Sequence, residues 1–343
     1  MQVQNKGPAV IGGDPDMPQA GMVLDGRFQI TDLLSCSGMA VLFLAQDLAR
    51  GREQVVVKIP HLRIESDPAY FTRFQREEEI GLTLDHPFLL RFIAVEEPKS
   101  RPYLVTEYVP GSTLEQLLKS ATTFSEEDAF TLALALCDAL EYLHARGIVH
   151  RDIKPGNVIV ARDGGIRLLD FGLSNSHRLR RVTFAGFSPA MGTPEYMSPE
   201  QAKGGRGDQR SDIYSLGAVL YEMLTGQPPF SGDSPMAILT SRGLADPAPL
   251  RELRPELSPQ TEEIVLHAME RNPGSRHASV ADLAAELRAP ARVVVTGRAQ
   301  RVRKLSRFEL NFARYRGAIF ALGLPAAGLA ATALWMWWRF HAR

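Results

Sequence analysis

Between residues 27 and 110, apolar and polar positions alternate in short runs rich in Val, Ile, Leu and Phe. The runs "RFQITDLLS", "VLFLAQD" and "EQVVVKIP" predict three strands, and "FLLRFIAVEE" and "RPYLVTEYV" predict two more. Between the two groups, Asp67 and Pro68 supply a cap and a first-turn proline for a helix continuing through "AYFTRFQREEEIGLTL". Past Gly111 the period becomes helical. Ser112 with Glu115, and Ser125 with Asp128, read as capping boxes, and the second opens a long helix ending at Gly147. "SDIYSLGAVLYEMLTG" is apolar along most of its length and stops at Gly226, so it predicts a buried central helix. The outline is α+β: a small β-rich lobe followed by a larger helical one, with no internal repeat.

The pattern changes again near the end. Gly317 to Trp338 is free of charged residues, and as a helix it would measure about 33 Å, enough to cross a hydrocarbon core of about 30 Å. Trp335, Trp337 and Trp338 gather at one end, followed by Arg339, as at a membrane interface. Pro325 would kink such a helix without excluding it. Before the span stand Arg292, Arg298, Arg301, Arg303, Lys304, Arg307, Arg314 and Arg316, and after it only Arg339 and Arg343. The positive-inside rule then places the body in the cytoplasm and leaves a short far-side tail, 339–343, with no folded sensor. Ala326, Ala327, Ala330 and Ala331 would let two spans approach closely, which makes self-association an expectation.

Charge sharpens the division. The 343-residue chain is neutral overall, yet from Ala291 onward ten Lys and Arg face one acid, Glu309, so the preceding body carries a net charge of −9. A basic tail of this kind either addresses anionic headgroups or is a solvated topogenic linker, and the acidic body argues against a basic nucleic-acid-binding surface. Cys36 and Cys137 have no metal-ligand spacing and are too few for a disulfide framework, which fits a reducing compartment. Residues 1–26, rich in Gly and Pro and without the basic start and apolar run of a signal peptide, read as a disordered leader.

The chemistry lies in "HRDIKPGN" (150–157) and "DFG" (170–172), which flank a hairpin turning at Asp163-Gly164-Gly165. The hairpin brings Asn157 and Asp170 together as two oxygen ligands, suited to Mg²⁺ carrying a nucleotide's phosphates. Asp152 on the preceding loop can accept a proton from a hydroxyl. With these motifs at this spacing, roughly residues 27–289 resemble a eukaryotic-type protein kinase, of the kind found in membrane-anchored bacterial Ser/Thr kinases.

The resemblance implies a bilobal protein-kinase fold with an N-lobe at 27–107 and a C-lobe at 108–289. A basic juxtamembrane linker at 290–316 and a transmembrane helix at 317–338 would follow, in a single-pass inner-membrane protein with its kinase domain cytoplasmic. It implies ATP with Mg²⁺, or Mn²⁺ in its place, and protein Ser/Thr hydroxyls as substrates. Lys58 would hold the α- and β-phosphates. Glu77 would pair with Lys58; Glu78 and Glu79 are rivals, and the distance to His86-Pro87 favours Glu77. Asp152 would be the base, Asn157 and Asp170 the metal ligands, and Lys154 would meet the γ-phosphate in the pattern of Ser/Thr kinases, with Thr193 steadying the base. Thr106 would be the gatekeeper, with Glu107 and Val109 offering backbone groups to adenine. Leu34, Leu42, Ile159 and Leu169 would sandwich the base, tightened by Val56 where the family prefers Ala. Glu200 would ion-pair with Arg276, and Asp212 would brace the catalytic loop. His144 and Cys137 read as packing or surface residues.

The phosphate cover is where the chain departs from the family. At the three positions of its G-x-G-x-x-G loop stand Ser35, Ser37 and Ala40, and only Gly38 remains, at the tip. Strained backbone there would cost about 1–3 kcal/mol, so the expectation is an impaired cover over intact machinery, improved by restoring glycine. Two readings compete: an active kinase that autophosphorylates at Thr183 or Ser188 in its activation segment, and a pseudokinase scaffold. A small-molecule kinase of the same fold is a third, disfavoured by "GTPEYMSPE", which resembles a protein-substrate platform.

Overall fold

The computed structural model describes residues 17–61, 68–120, 123–170, 194–232 and 234–303, with the isolated positions 332 and 337. Five antiparallel strands form the first sheet in the order β1 (Val23–Leu24), β2 (Phe28–Cys36), β3 (Ala40–Asp47), β4 (Glu53–Pro60) and β5 (Leu104–Glu107). Side chains on a strand alternate between faces. Val41, Phe43 and Ala45 of β3 and Val55, Val57 and Ile59 of β4 therefore share one buried face, with Phe28, Ile30, Tyr103 and Val105. Burying side chains of this size is worth about 1.5–3 kcal/mol each. That face is the lobe's core, and Lys58, between Val57 and Ile59, projects from the other.

Two expectations change in this lobe. Residues 17–26, assigned above to the leader, are part of it: Met17 and Leu24 are buried in the same core, β1 pairs with β2, and Asp25 accepts a hydrogen bond from the Ser100 amide. The strand expected over "FLLRFIAVEE" is reduced to isolated bridges at Leu89 and Phe92. The apolar pattern is real, since Leu89, Phe92 and Ile93 are buried. The segment divides its backbone bonds between the lobes: Leu90 donates to Leu168 of the C-lobe, Ile93 to Val105 of the N-lobe. It therefore pairs with neither long enough to be a strand, and acts as the seam between them.

The second lobe packs helices around the central helix Gln209–Thr225, buried on nearly every side and stopped by Gly226 in the left-handed conformation (φ 76°). The long helix Glu126–Ala145 begins, as its sequence predicts, with Ser125 accepting from the Asp128 amide. The preceding helix, Leu114–Ser120, is capped by Thr113 and Gln116 rather than Ser112 and Glu115: Thr113, the last residue of β6 (Gly111–Thr113), directly precedes the first helical residue, which places Ser112 one position too early. That strand joins β7 (Val158–Ala161) and β8 (Ile166–Leu168) in a small three-stranded sheet.

The basic segment after residue 289 is docked as far as it is described. Arg298 ion-pairs with the buried Glu263 and, at 3.2 Å, with Glu270, while the Arg303 amide donates to Asp246 across 2.9 Å. Among the described residues no helix is long and apolar enough to cross a membrane. The expected span at 317–338 and the tail at 339–343 lie outside the described residues, apart from Thr332 and Trp337.

Candidate active site

Lys58 emerges from β4 onto the face opposite the core, paired in register with Leu42 and Leu104. Its Nζ lies 2.7 Å from Glu77 Oε1 and 3.1 Å from Asp170 Oδ1. Three successive glutamates on the helix Pro68–Gly81 point in different directions, as residues about 100° apart must. Glu77 meets Lys58, Glu78 pairs with Lys99 at 2.5 Å, and Glu79 is exposed. Burial works against the Lys58 ammonium, but Asp170 and Glu77 outweigh it and raise its pKa above the ordinary lysine range. Lys58 in turn holds Asp170 below the usual carboxylate range, whereas burial pushes Glu77 up. The site thus holds a fixed cation beside an ionised Asp170.

The catalytic loop is built from the central helix outward. Asp212, fully buried, accepts hydrogen bonds from the amides of His150 (2.9 Å) and Arg151 (2.6 Å) and from His144 Nε2 (2.8 Å). Arg151 is held in the left-handed region (φ 66°), as is Asp170 (φ 50°); such backbone in non-glycine residues is costly and persists only where the surroundings fix it. His150 links the two motifs. Its Nε2 donates to the Leu169 carbonyl (2.9 Å) and its Nδ1 accepts from the Asp152 amide (3.3 Å), a pattern that defines a single neutral tautomer. His144, read from sequence as packing or surface, therefore supports the loop, and its partner lies too far along the chain for any local signal.

Asp152 Oδ2 is the point of convergence. It accepts from Lys154 Nζ (2.8 Å) and Asn157 Nδ2 (2.9 Å), and Asn157 Nδ2 also binds the Asp152 carbonyl (2.8 Å). With its amide nitrogen engaged in this way, Asn157 keeps its amide oxygen out of these bonds. The Leu169 amide donates to the Asn157 carbonyl (2.8 Å), so Asn157 and the residue before Asp170 are tied through the backbone. A carboxylate and an amide oxygen beside a lysine form a donor set that fits Mg²⁺ and phosphate oxygens.

The positions expected to face the base come from both sheets and the segments beside them. Thr106 is buried on β5 opposite Val56; Leu42, Val56, Val109, Ile159 and Leu169 are half-buried, and Leu34 is exposed. Glu107 uses its amide on the Arg91 carbonyl (3.0 Å) and its carboxylate on Arg167 (3.3 Å).

At the cover, the expected strain is absent. None of Ser35, Ser37, Gly38 and Ala40 has positive φ, so the backbone there demands no glycine. Ser37 Oγ instead accepts from the amides of Met39 (3.3 Å) and Ala40 (3.1 Å), and donates to the Ala40 carbonyl (2.9 Å). The imidazole of His61 donates to the Ser37 carbonyl at 2.7 Å, and the His61 amide bonds to Met39. A hydroxyl and a histidine thus fix the tip of a loop that the family builds from glycine.

Beyond the loop, Glu200 makes a two-pronged bond to the fully buried Arg276 (2.9 and 2.7 Å) and accepts from Ser211. Burial pushes its carboxyl up, but these bonds outweigh burial and hold it at about 2. Gln201 Nε2 binds the Arg151 carbonyl (3.0 Å), a second tether of the catalytic loop that no sequence signal announced. Phe171, Gly172, Thr183, Ser188 and Thr193 lie outside the described residues.

Residues 38–286 match the protein kinase domain family. The chain belongs to that family. Among protein kinases it is similar to a probable serine/threonine-protein kinase of Streptomyces coelicolor, 38% identical over 270 residues, covering 78% of this chain and 40% of the relative. It is also similar to the serine/threonine-protein kinase PknB of Mycolicibacterium smegmatis and of Mycobacterium tuberculosis, each 35% identical over 268 residues, covering 77% of this chain and 43% of the relative. The chain therefore spans about two fifths of the length of these relatives. The kinase fold accounts for both sheets and the helical lobe.

Proposed function

We propose that this chain is an active, membrane-anchored Ser/Thr protein kinase that transfers the γ-phosphoryl group of ATP to protein hydroxyls. The observation that carries the reading is the convergence on Asp152 of Lys154 and Asn157, on a loop braced by Asp212, opposite the Lys58–Glu77–Asp170 ion network. When bound, Mg²⁺–ATP supplies the transferable group and the positive charge that neutralises its phosphates. Asn157 and Asp170 would hold the ion, and Lys58, kept in place by Glu77, would hold the phosphates. Asp152 Oδ2 takes the proton of the incoming hydroxyl, and Lys154 beside it supplies positive charge where negative charge develops. Positioning and electrostatics of this kind are the main contribution a protein makes to phosphoryl transfer.

A pseudokinase scaffold has no observation in its favour, since no charged group of the machinery is missing and the cover is unstrained. Membrane attachment through residues 317–338, with the body on the cytoplasmic side of a bacterial inner membrane, rests on the uncharged span and its basic flank. Self-association through the small residues of that span belongs to the same reading. The test has two arms. The full chain is incubated with labelled ATP and Mg²⁺ and assayed for phosphoserine and phosphothreonine on a general protein substrate. In parallel, membranes from expressing cells are extracted with alkaline carbonate, from which a spanning protein is not released and a surface-bound one is.

A further inference from the structure

We propose that His267, His277 and Glu286 form a transition-metal site, chemically suited to Zn²⁺, on the C-lobe face where residues 290–298 dock. The three residues come from separate elements: the last turn of the helix Pro259–Ala268, the loop after Arg276, and the helix Val280–Arg288. Their ligand atoms all lie within 4.8 Å of one another. His277 Nε2 is 2.8 Å and His267 Nδ1 3.5 Å from the two oxygens of Glu286, and the imidazole rings lie with centroids 3.8 Å apart, tilted 35° to one another. Two imidazoles and one carboxylate are a donor set that selects Zn²⁺ over Mg²⁺. Zinc bonds of 2.0–2.1 Å at tetrahedral angles place ligand atoms about 3.3 Å apart. The distances of the two histidines to Glu286 bracket that value.

The surroundings agree with the geometry. Among the described residues Nδ1 of His277 is buried without a hydrogen-bond partner, so the trio is not a closed structural network there. His267 and Glu286 also line a cavity of about 510 Å³ with Glu263, Arg292, Thr296 and Arg298, which leaves room for water as a fourth ligand. The nearby cation Arg298 is neutralised by Glu263 and Glu270. No residue of the kinase machinery takes part, so metal binding here is separable from catalysis.

The test uses the full chain, free of affinity tags, solubilised in detergent, stripped with a chelator, and kept in millimolar Mg²⁺ so that the nucleotide-site ligands do not compete. Zn²⁺ affinity is measured against a chromophoric chelator, and Co²⁺ is titrated while visible absorption is recorded. One equivalent of Zn²⁺ is expected, with a Co²⁺ spectrum of tetrahedral or five-coordinate type and a Zn²⁺-dependent rise in Tm. His267→Asn, at a partly exposed position, and Glu286→Gln are each expected to weaken Zn²⁺ binding at least tenfold and to abolish the rise in Tm. If one variant fails to fold, the other carries the comparison. Absence of stoichiometric Zn²⁺ binding by the unmutated chain, or unchanged affinity in a folded variant, overturns the proposal.

Discussion

His144 donates a hydrogen bond to Asp212 across 2.8 Å, and the same carboxylate holds the amides of His150 and Arg151. The catalytic loop therefore hangs from a buried charge whose own orientation is set by a histidine on another helix. Among the described residues, removing that histidine leaves Asp212 with backbone donors alone. A hydrogen bond to a buried charge is worth about 1.5–3 kcal/mol. His144→Ala is expected to lower unfolding stability by that order and to reduce kcat about three- to tenfold, while KM for ATP changes little. Chemical denaturation and steady-state kinetics check the two effects separately.

The Ser37 hydroxyl makes the opposite case from the one its position implies. Because the loop is unstrained and Ser37 Oγ closes its tip, glycine there removes hydrogen bonds and adds conformational freedom. Ser37→Gly, alone or with glycine also at Ser35 and Ala40, is expected to lower kcat/KM for ATP about three- to tenfold. A gain on glycine restoration, measured by initial rates at subsaturating ATP, would mean that close approach to phosphate, rather than tip rigidity, limits the cover.

How much of this was readable in the sequence depended on how local each signal was. "HRDIKPGN" and "DFG" lie either side of one hairpin, so Asp152, Asn157 and Asp170 could be placed by spacing. Ser125 with Asp128 announced its helix because a cap spans only one turn. The bracing of Asp212 by His144 could not be seen, since 68 residues separate the pair and either residue alone is unremarkable on its helix. The seam at residues 88–97 misled because strand-like alternation reports burial, whereas strand identity depends on where the backbone bonds go. The stretch 17–26 looked like leader by its Gly and Pro content, yet Met17 and Leu24 complete the N-lobe core. Ser37 appeared to be a lost glycine because motif comparison records what is missing, not what a hydroxyl can do instead.

The Glu200–Arg276 pair carries a pH signature. Its folded-state pKa of about 2 lies below the ordinary glutamate value of 4.5, so the stabilisation is complete above pH 4.5 and is lost as pH falls toward 2. A depression of this size corresponds to about 3 kcal/mol. The difference in unfolding free energy between the unmutated chain and Glu200→Gln is expected to be largest near pH 7 and to shrink steadily below pH 4.5. Urea unfolding across that range tests it, and a pH-independent difference would contradict the assignment.

Arg151 has a buried Nε without a hydrogen-bond partner among the described residues, and burial together with Arg206 lowers its pKa from the usual arginine value. A guanidinium so placed, one residue before Asp152, is suited to an anion from the activation segment. Phosphate is expected on Thr183, Ser188 or both in active protein, and Arg151→Ala is expected to remove most of the activation that phosphorylation brings. Mass spectrometry of residues 174–193, with activity assayed before and after phosphatase treatment, checks both statements.

The most direct measurement compares phosphoryl transfer from Mg²⁺–ATP by the full chain and by Asp152→Asn. The oxygen that takes the hydroxyl proton is held by Lys154 and Asn157, and the substitution keeps the shape of the side chain while removing its basicity. Label is expected on serine and threonine with the unmutated chain, falling by a factor on the order of a hundred or more in the variant. Equal incorporation by the two proteins, or none by either, would contradict the account.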